Sequence, residues 1–218
     1  MALSYGPSII TDGLVLCLDA ADTLSYPGVG TTWFDLSGQG NHGTLVNGVG
    51  YDGSNGGSLV FDGVDDYVRV TTSTPTSYNT FSYGAWIYAN DTSGYRTIID
   101  RDNDKWSLFV FNGILITYNQ TFNSVYTINT NQWYYVNVTH IDGQPVLFYV
   151  NGSLIYTSSN STVQHTTSYF GIGAGYSTPT SGNEFWAGNI AQASIYNRAL
   201  TPAEISQNFN ALRGRFGV

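Results

Sequence analysis

Side chains with chemistry to offer are few and scattered in this chain. The densest acidic run is Asp100-Arg101-Asp102-Asn103-Asp104. If a strand continued through it, Asp100, Asp102 and Asp104 would face one side, and paired carboxylates of that kind act as general acid and base. The run divides two apolar stretches, RTIID and KWSLFVF, so the expectation is a polar turn. His42, His140 and His165 stand far apart, and neither an HExxH nor a GxSxG pattern occurs. Cys17 has no basic neighbour to lower its pKa and sits among leucines, as a small core residue does. A binding chemistry is better represented. Tyr95, Arg96, Asp102, Asn103, Trp106 and Tyr118 fall on adjacent expected strands and loops, and exposed aromatics with Arg, Asp and Asn are the groups that stack on sugar rings and hydrogen-bond their hydroxyls. These six are the candidate ligand contacts.

The composition narrows what can position them. Of 218 residues, 10% are charged and 15% aromatic, and 15 acids against 7 bases leave a net charge of −8. Globular domains carry roughly 25% charged residues, and helical bundles draw on Lys/Glu pairs, so a mostly helical protein is excluded. The aromatic content can bury enough apolar surface to offset chain entropy, which excludes disorder. The acid excess argues against nucleic acid, which needs clustered Lys and Arg. No apolar run reaches the ~20 residues of a membrane helix, and MALSYGPSII lacks the basic start and apolar core of a secretion signal. A soluble, non-secreted, all-β chain is expected, with a surface rich in Thr, Ser and Asn. Sparse charge also leaves strand edges without their usual block, so a homo-oligomer is an open expectation.

Alternation and β-branched or aromatic runs mark strands at 14–18, 58–61, 67–70, 80–88, 96–100, 105–111, 114–119, 133–141, 146–150, 168–172 and 189–196. Asn112-Gly113 predicts a two-residue hairpin turn, and Asp142-Gly143 and Asn151-Gly152 predict further turns. One helix is expected from Thr201: the residue can cap, Pro202 suits the first helical position, and Glu204 can complete a capping box. Ile205, Phe209 and Leu212 then share a face, and Gly214 offers a stop. The reading is an antiparallel two-sheet jelly-roll sandwich at 12–212, with an N-terminal arm at 1–11 and a loose C-terminal tail at 213–218.

Five segments carry a resemblance. Residues 13–20 (GLVLCLDA), 33–45 (WFDLSGQGNHGTL), 59–68 (LVFDGVDDYV), 81–87 (FSYGAWI) and 195–205 (IYNRALTPAEI) resemble, in order, motifs of laminin-G-like domains in the concanavalin A-like lectin/glucanase group. The resemblance spans nearly the whole chain and implies that group's sandwich. Asp62, Asp65 and Asp66 are expected to fix a hairpin turn, and Arg198 to tie neighbouring loops.

Glucanases of the group work with two carboxylates in an E-x-D-x-x-E strand. This chain has two glutamates, Glu184 and Glu204, neither in such a motif. The expectation is therefore no enzyme and no catalytic residue, with a minor glycoside hydrolase or a bacterial carbohydrate-binding module as the alternative. Many relatives hold calcium between the opening and last strands. Asp19, Asp35 and the loop at 38–41 could contribute ligands, but Ala191 stands where the last strand's acid would be, so no cofactor is expected and calcium is disfavoured. The single domain, low charge and C-terminal QNFNALRGRFG also resemble structural proteins of tailed phages. That implies a virion surface protein, assembled in the host cytoplasm as a capsid decoration, fibre or adhesion module, with other virion proteins and cell-surface glycans as partners.

Overall fold

The computed structural model describes residues 7–76, 79–101, 107–117, 122–160, 167–174 and 184–218. Two antiparallel sheets face each other as a jelly-roll sandwich. The first runs β14 (Ser153–Asn160), β13 (Pro145–Val150), β12 (Trp133–His140), β7 (Phe81–Ala89), β16 (Ala187–Tyr196), β5 (Ser58–Asp62) and β4 (Gly50–Asp52), with β1 (Leu14–Asp19) also paired to β16. The second runs β11 (Phe122–Thr127), β10 (Ile114–Thr117), β9 (Leu108–Phe111), β8 (Tyr95–Arg101), β15 (Thr167–Ile172), β6 (Tyr67–Thr76), β3 (Gly43–Val46) and β2 (Thr32–Trp33). The turn between β9 and β10 matches its chemistry: its two central residues, Asn112 and Gly113, take φ of 48° and 84°, as a type I′ hairpin requires.

Between the sheets, alternate residues of each strand form the main core. Phe81, Tyr83, Ala85 and Ile87 of β7 meet Val136, Val138, Phe148 and Ile195 from the same sheet and Val68, Val70, Ile99, Leu108, Val110 and Ile172 from the other. The first sheet is also buried on its far side. Trp86, Tyr135, Tyr149 and Tyr196 point away from the main core and lie under α1 (Pro202–Leu212) together with Ile205 and Phe209. Hence β7 is buried along almost its entire length rather than in alternation, as a strand covered on both faces must be.

The helix forms as its sequence predicts. Thr201 and Glu204 make both halves of the capping box, with Pro202 in the first turn. Glu204 also holds Arg198 in a two-pronged pair at 2.6 and 2.9 Å, while Arg198 reaches back to the Asp12 carbonyl at 3.0 Å. The last strand, the helix start and the N-terminal arm are thereby locked to one guanidinium.

Several elements differ from expectation. β2, β3, β4, β11 and β14 were not anticipated; the first three are two to four residues long, and β11 and β14 lie at sheet edges. An edge strand makes its ladder hydrogen bonds to one neighbour that is set by the tertiary fold, so little local pattern marks it in sequence. The C-terminal tail is not loose. Gly214 lies inside a 3₁₀ turn, Arg213–Arg215, that continues the helix. Phe216 then stacks on Trp86 at 4.2 Å and contacts Trp133 at 4.5 Å, and Arg215 grips Asp19 at 2.8 and 2.9 Å. The arm is laced down as well: Ile10 donates to Asn208 Oδ1 at 2.8 Å and its carbonyl accepts from the Tyr196 hydroxyl at 2.9 Å.

Two outcomes follow. Phe216→Ala removes the cover over Trp86 and should destabilise the domain by about 3 kcal/mol in denaturant titration. Arg198 and the cap hold the Glu204 carboxyl down from 4.5 to about 2. A depressed acid stabilises above its unfolded pKa and loses that contribution as pH falls through its folded pKa. Glu204→Gln should therefore cost about 1 kcal/mol at neutral pH, for this partly exposed pair, with the gap closing between pH 4.5 and about 2.

Candidate functional site

With the outer face of the first sheet occupied by α1 and the tail, the outer face of the second sheet is the broad surface left to carry function. Its residues follow from register. On β6, Val68 and Val70 face the core, so Tyr67, Arg69 and Thr71 face outward. Arg69 pairs across to Thr44 on β3 and Gly171 on β15, and Gly171 pairs to Asp100 on β8. A polar row thus crosses four strands. Two further rows run beside it: Thr97, Phe109 and Ile116, then Tyr95, Phe111 and Ile114.

The side chains in these rows are held in place by local contacts. The Arg69 guanidinium donates to the Tyr67 hydroxyl at 2.8 Å and lies over that ring at 5.7 Å from its centre. Arg69 remains exposed while Tyr67 is buried against Ala174 and Phe185. Gly171 has no room for a side chain, because a Cβ there would run into the Ala174 carbonyl oxygen. Asp100 is fully buried and accepts a hydrogen bond from the Ser107 hydroxyl, and Thr117 donates to the Ser107 carbonyl at 2.7 Å. Tyr95 packs on Phe111 and Phe109 with ring centres 4.4 and 5.8 Å apart, leaving Tyr95 and Phe111 half-buried. The reachable groups are a guanidinium on a tyrosine ring, threonine hydroxyls and a two-ring aromatic step.

Of the six candidate contacts named from sequence, Asp102, Asn103, Trp106 and Tyr118 lie outside the described residues. Tyr95 stands on the outer face as described. Arg96 faces the opposite way, paired with Val110; its guanidinium is held by Asp91 and by the Phe185 carbonyl at 3.1 Å. It therefore ties loops together. Arg69 and Tyr67 were missed, although Tyr-Val-Arg-Val alternation beside the DDYV motif places both on the face opposite the valines.

The carboxylates elsewhere are engaged in structure. Asp35 accepts from the backbone of Cys17, Ser37 and Asn41 at 2.9 to 3.0 Å and from the Ser37 hydroxyl at 2.6 Å. Asp19 is held by Arg215, and Ala191 is fully buried on β16. Backbone amides and an arginine already satisfy the two acids that calcium would need, so these residues do not fit that ion. Asp62, Asp65 and Asp66 bring carboxylate oxygens within 4.8 Å of one another. Asp62 accepts from Val64 and Asp66 accepts from Asp62, both through backbone N–H, which is the hairpin role expected of them. Burial, chiefly, raises the Asp66 pKa. His42 is exposed and accepts from the Asp35 amide at 3.0 Å; His140 is buried at the end of β12.

The fold and this face define a lectin-like jelly-roll sandwich. A family model described as concanavalin A-like lectin/glucanases superfamily matches residues 62–206, and the chain belongs to that family. Among solved structures it is similar to the botulinum neurotoxin type C chain studied for its interaction with two ganglioside molecules, at TM-score 0.69 and 19% identity over 93% of this chain and 52% of that one. The binding domain of botulinum neurotoxin DC, solved with rat synaptotagmin II, matches at TM-score 0.69 and 18% identity over 93% and 52%. Domain 4 of AbnA, an extracellular GH43 arabinanase from Geobacillus stearothermophilus solved with arabinotriose, matches at TM-score 0.67 and 18% identity over 90% and 98%. The chain spans about half the length of the toxin chains. A search of curated protein sequences returns no significant match.

Cys17 reports on the packing of β1. Burial pushes its thiol up to about 12, with Asp19 adding to the shift, so a thiol reagent at pH 8 should label it only after unfolding. Labelling of the folded protein at the rate of a free thiol would contradict this packing.

Proposed function

We propose that this domain is a non-catalytic glycan-binding module, displayed on the surface of a tailed-phage particle beside other virion proteins and directed at cell-surface glycans. The observation that carries the binding reading is the outer face of the second sheet, where Arg69 lies on Tyr67 and, two side-chain rows further along, Tyr95 packs on Phe111. Aromatic faces meet the C–H side of a sugar, and a guanidinium and hydroxyls meet its oxygens. The neighbours support a saccharide: one is named for gangliosides and another was solved with arabinotriose. Glu204, bound by Arg198 and the cap, supports the absence of catalysis. The virion placement rests on the resemblance to phage structural proteins. The second reading, a binding module appended to a bacterial enzyme, is favoured by the match to 98% of the arabinanase domain.

A glycan array separates these readings from none at all. The wild type should bind a defined saccharide set, and Arg69→Ala and Phe111→Ala should each weaken it about tenfold, in keeping with loss of a charge-assisted hydrogen bond or a stacking ring. Unchanged binding in both variants would remove this face from the proposal, and release of product from a polysaccharide panel would overturn the non-catalytic reading. Mass spectrometry of purified particles tests the placement, because absence of the chain from them contradicts it.

A further inference from the structure

Among the described residues, ion pairs engage Arg96 with Asp91, Arg198 with Asp12 and Glu204, and Arg215 with Asp19. Exposed Arg69 has no carboxylate partner among them. Along its row the first acid is Asp100, beyond Gly171, and that carboxylate is fully buried and bonded to Ser107. The nearer neighbours on the outer face are Thr44, directly across on β3, and Thr71, the next outward residue of β6, both exposed and uncharged. The guanidinium is nonetheless held in place. It donates to the Tyr67 hydroxyl at 2.8 Å, and that ring is fixed by burial against Ala174 and Phe185. A guanidinium presents a planar fork of N–H donors, so the bond to Tyr67 orients the group and leaves its other N–H groups for a ligand.

Exposed ion pairs are weak largely because two long side chains must be ordered to form them. Here the cation is ordered beforehand, which lowers the cost of receiving an anion. The shape that answers a planar fork is a carboxylate, which accepts two parallel hydrogen bonds. The net charge of −8 adds a selection of its own: the field of the whole domain repels anions, so an acid is retained where a guanidinium meets it directly and not by diffuse attraction. We propose that the glycan read by this face carries a carboxylate, as a uronic or nonulosonic acid does, and that Arg69 is the residue that selects it. The inference rests on the glycan-binding reading of the same face and adds to it the class of sugar.

The test is a calorimetric titration of the whole chain with a galacturonic acid hexamer, sialyllactose, the carboxyl-reduced form of each, and a sulfated lactose. The acidic member of at least one pair should bind about tenfold tighter than its reduced form, and the pair that responds assigns a uronic or a nonulosonic acid. In Arg69→Gln the acidic and reduced forms should bind alike, and Arg69→Lys should recover part of the preference, because an ammonium keeps the charge without the fork. Added salt should shrink the preference, since the pair is exposed. Equal binding of acidic and reduced forms by the wild type, or a preference that survives Arg69→Gln, would overturn the acid assignment and leave the glycan reading standing. Tighter binding of the sulfated lactose than of either carboxylate probe would overturn it in favour of a sulfate ester. Silence of both acidic probes while neutral glycans bind on the array would overturn it as well, whereas silence of every glycan would remove the glycan reading and this inference with it.

Discussion

The structure depends on a sheet that is apolar on both faces. In β7, Phe81, Tyr83, Ala85 and Ile87 enter the main core while Trp86 points the other way. An indole left in water would forfeit on the order of 2–3 kcal/mol of burial, so the outer face needs a cover. Phe209 from α1 stacks on Trp86 at 5.6 Å and Phe216 from the tail at 4.2 Å. That requirement sets where the helix lies, why the last residues are ordered, and which surface stays available for ligands.

Charge is used sparingly and mostly for closure. Arg198 joins the arm, the last strand and the helix through Asp12 and Glu204. Arg215 joins the tail to β1 through Asp19 and to the carbonyl of Gly57. Arg96 joins the β7–β8 loop to Phe185. In a chain with 7 basic residues, committing three to such ties leaves little cationic surface. Arg215 also occupies the role at Asp19 that the family resemblance would give to calcium, so a guanidinium serves here as the staple between the chain's two ends. Arg69, exposed over the buried Tyr67, stands apart because its guanidinium donates to a tyrosine hydroxyl and covers that ring instead of tying two segments through a carboxylate.

The candidate site divides along the same line as the packing. Its rigid part, Asp100 with Ser107 and Thr117, is buried and holds the β8, β9 and β10 strands in register. The accessible part, Arg69 on one row and Tyr95 with Phe111 on another, belongs to the same outer face. A preorganised frame lowers the ordering cost of binding, which suits the glycan-binding role proposed for this face.

Much of the architecture was legible in the order of residues. Alternating apolar runs gave the central strands, Asn112-Gly113 its hairpin, Thr201-Pro202-Ala203-Glu204 its capped helix, and Cys17 its buried place, because each depends on neighbours within a few positions. The short strands β2, β3 and β4 and the edges β11 and β14 were not legible, since their backbone bonds come from partners distant in sequence. The same holds for the site. Sequence proposed aromatic and polar contacts around β8, of which Tyr95 and Arg96 are among the described residues, but whether Arg96 or Arg69 faces outward depends on which face of each strand meets the other sheet. That choice, with the docking of Phe216, was decided only when burying both faces of the first sheet brought distant segments together.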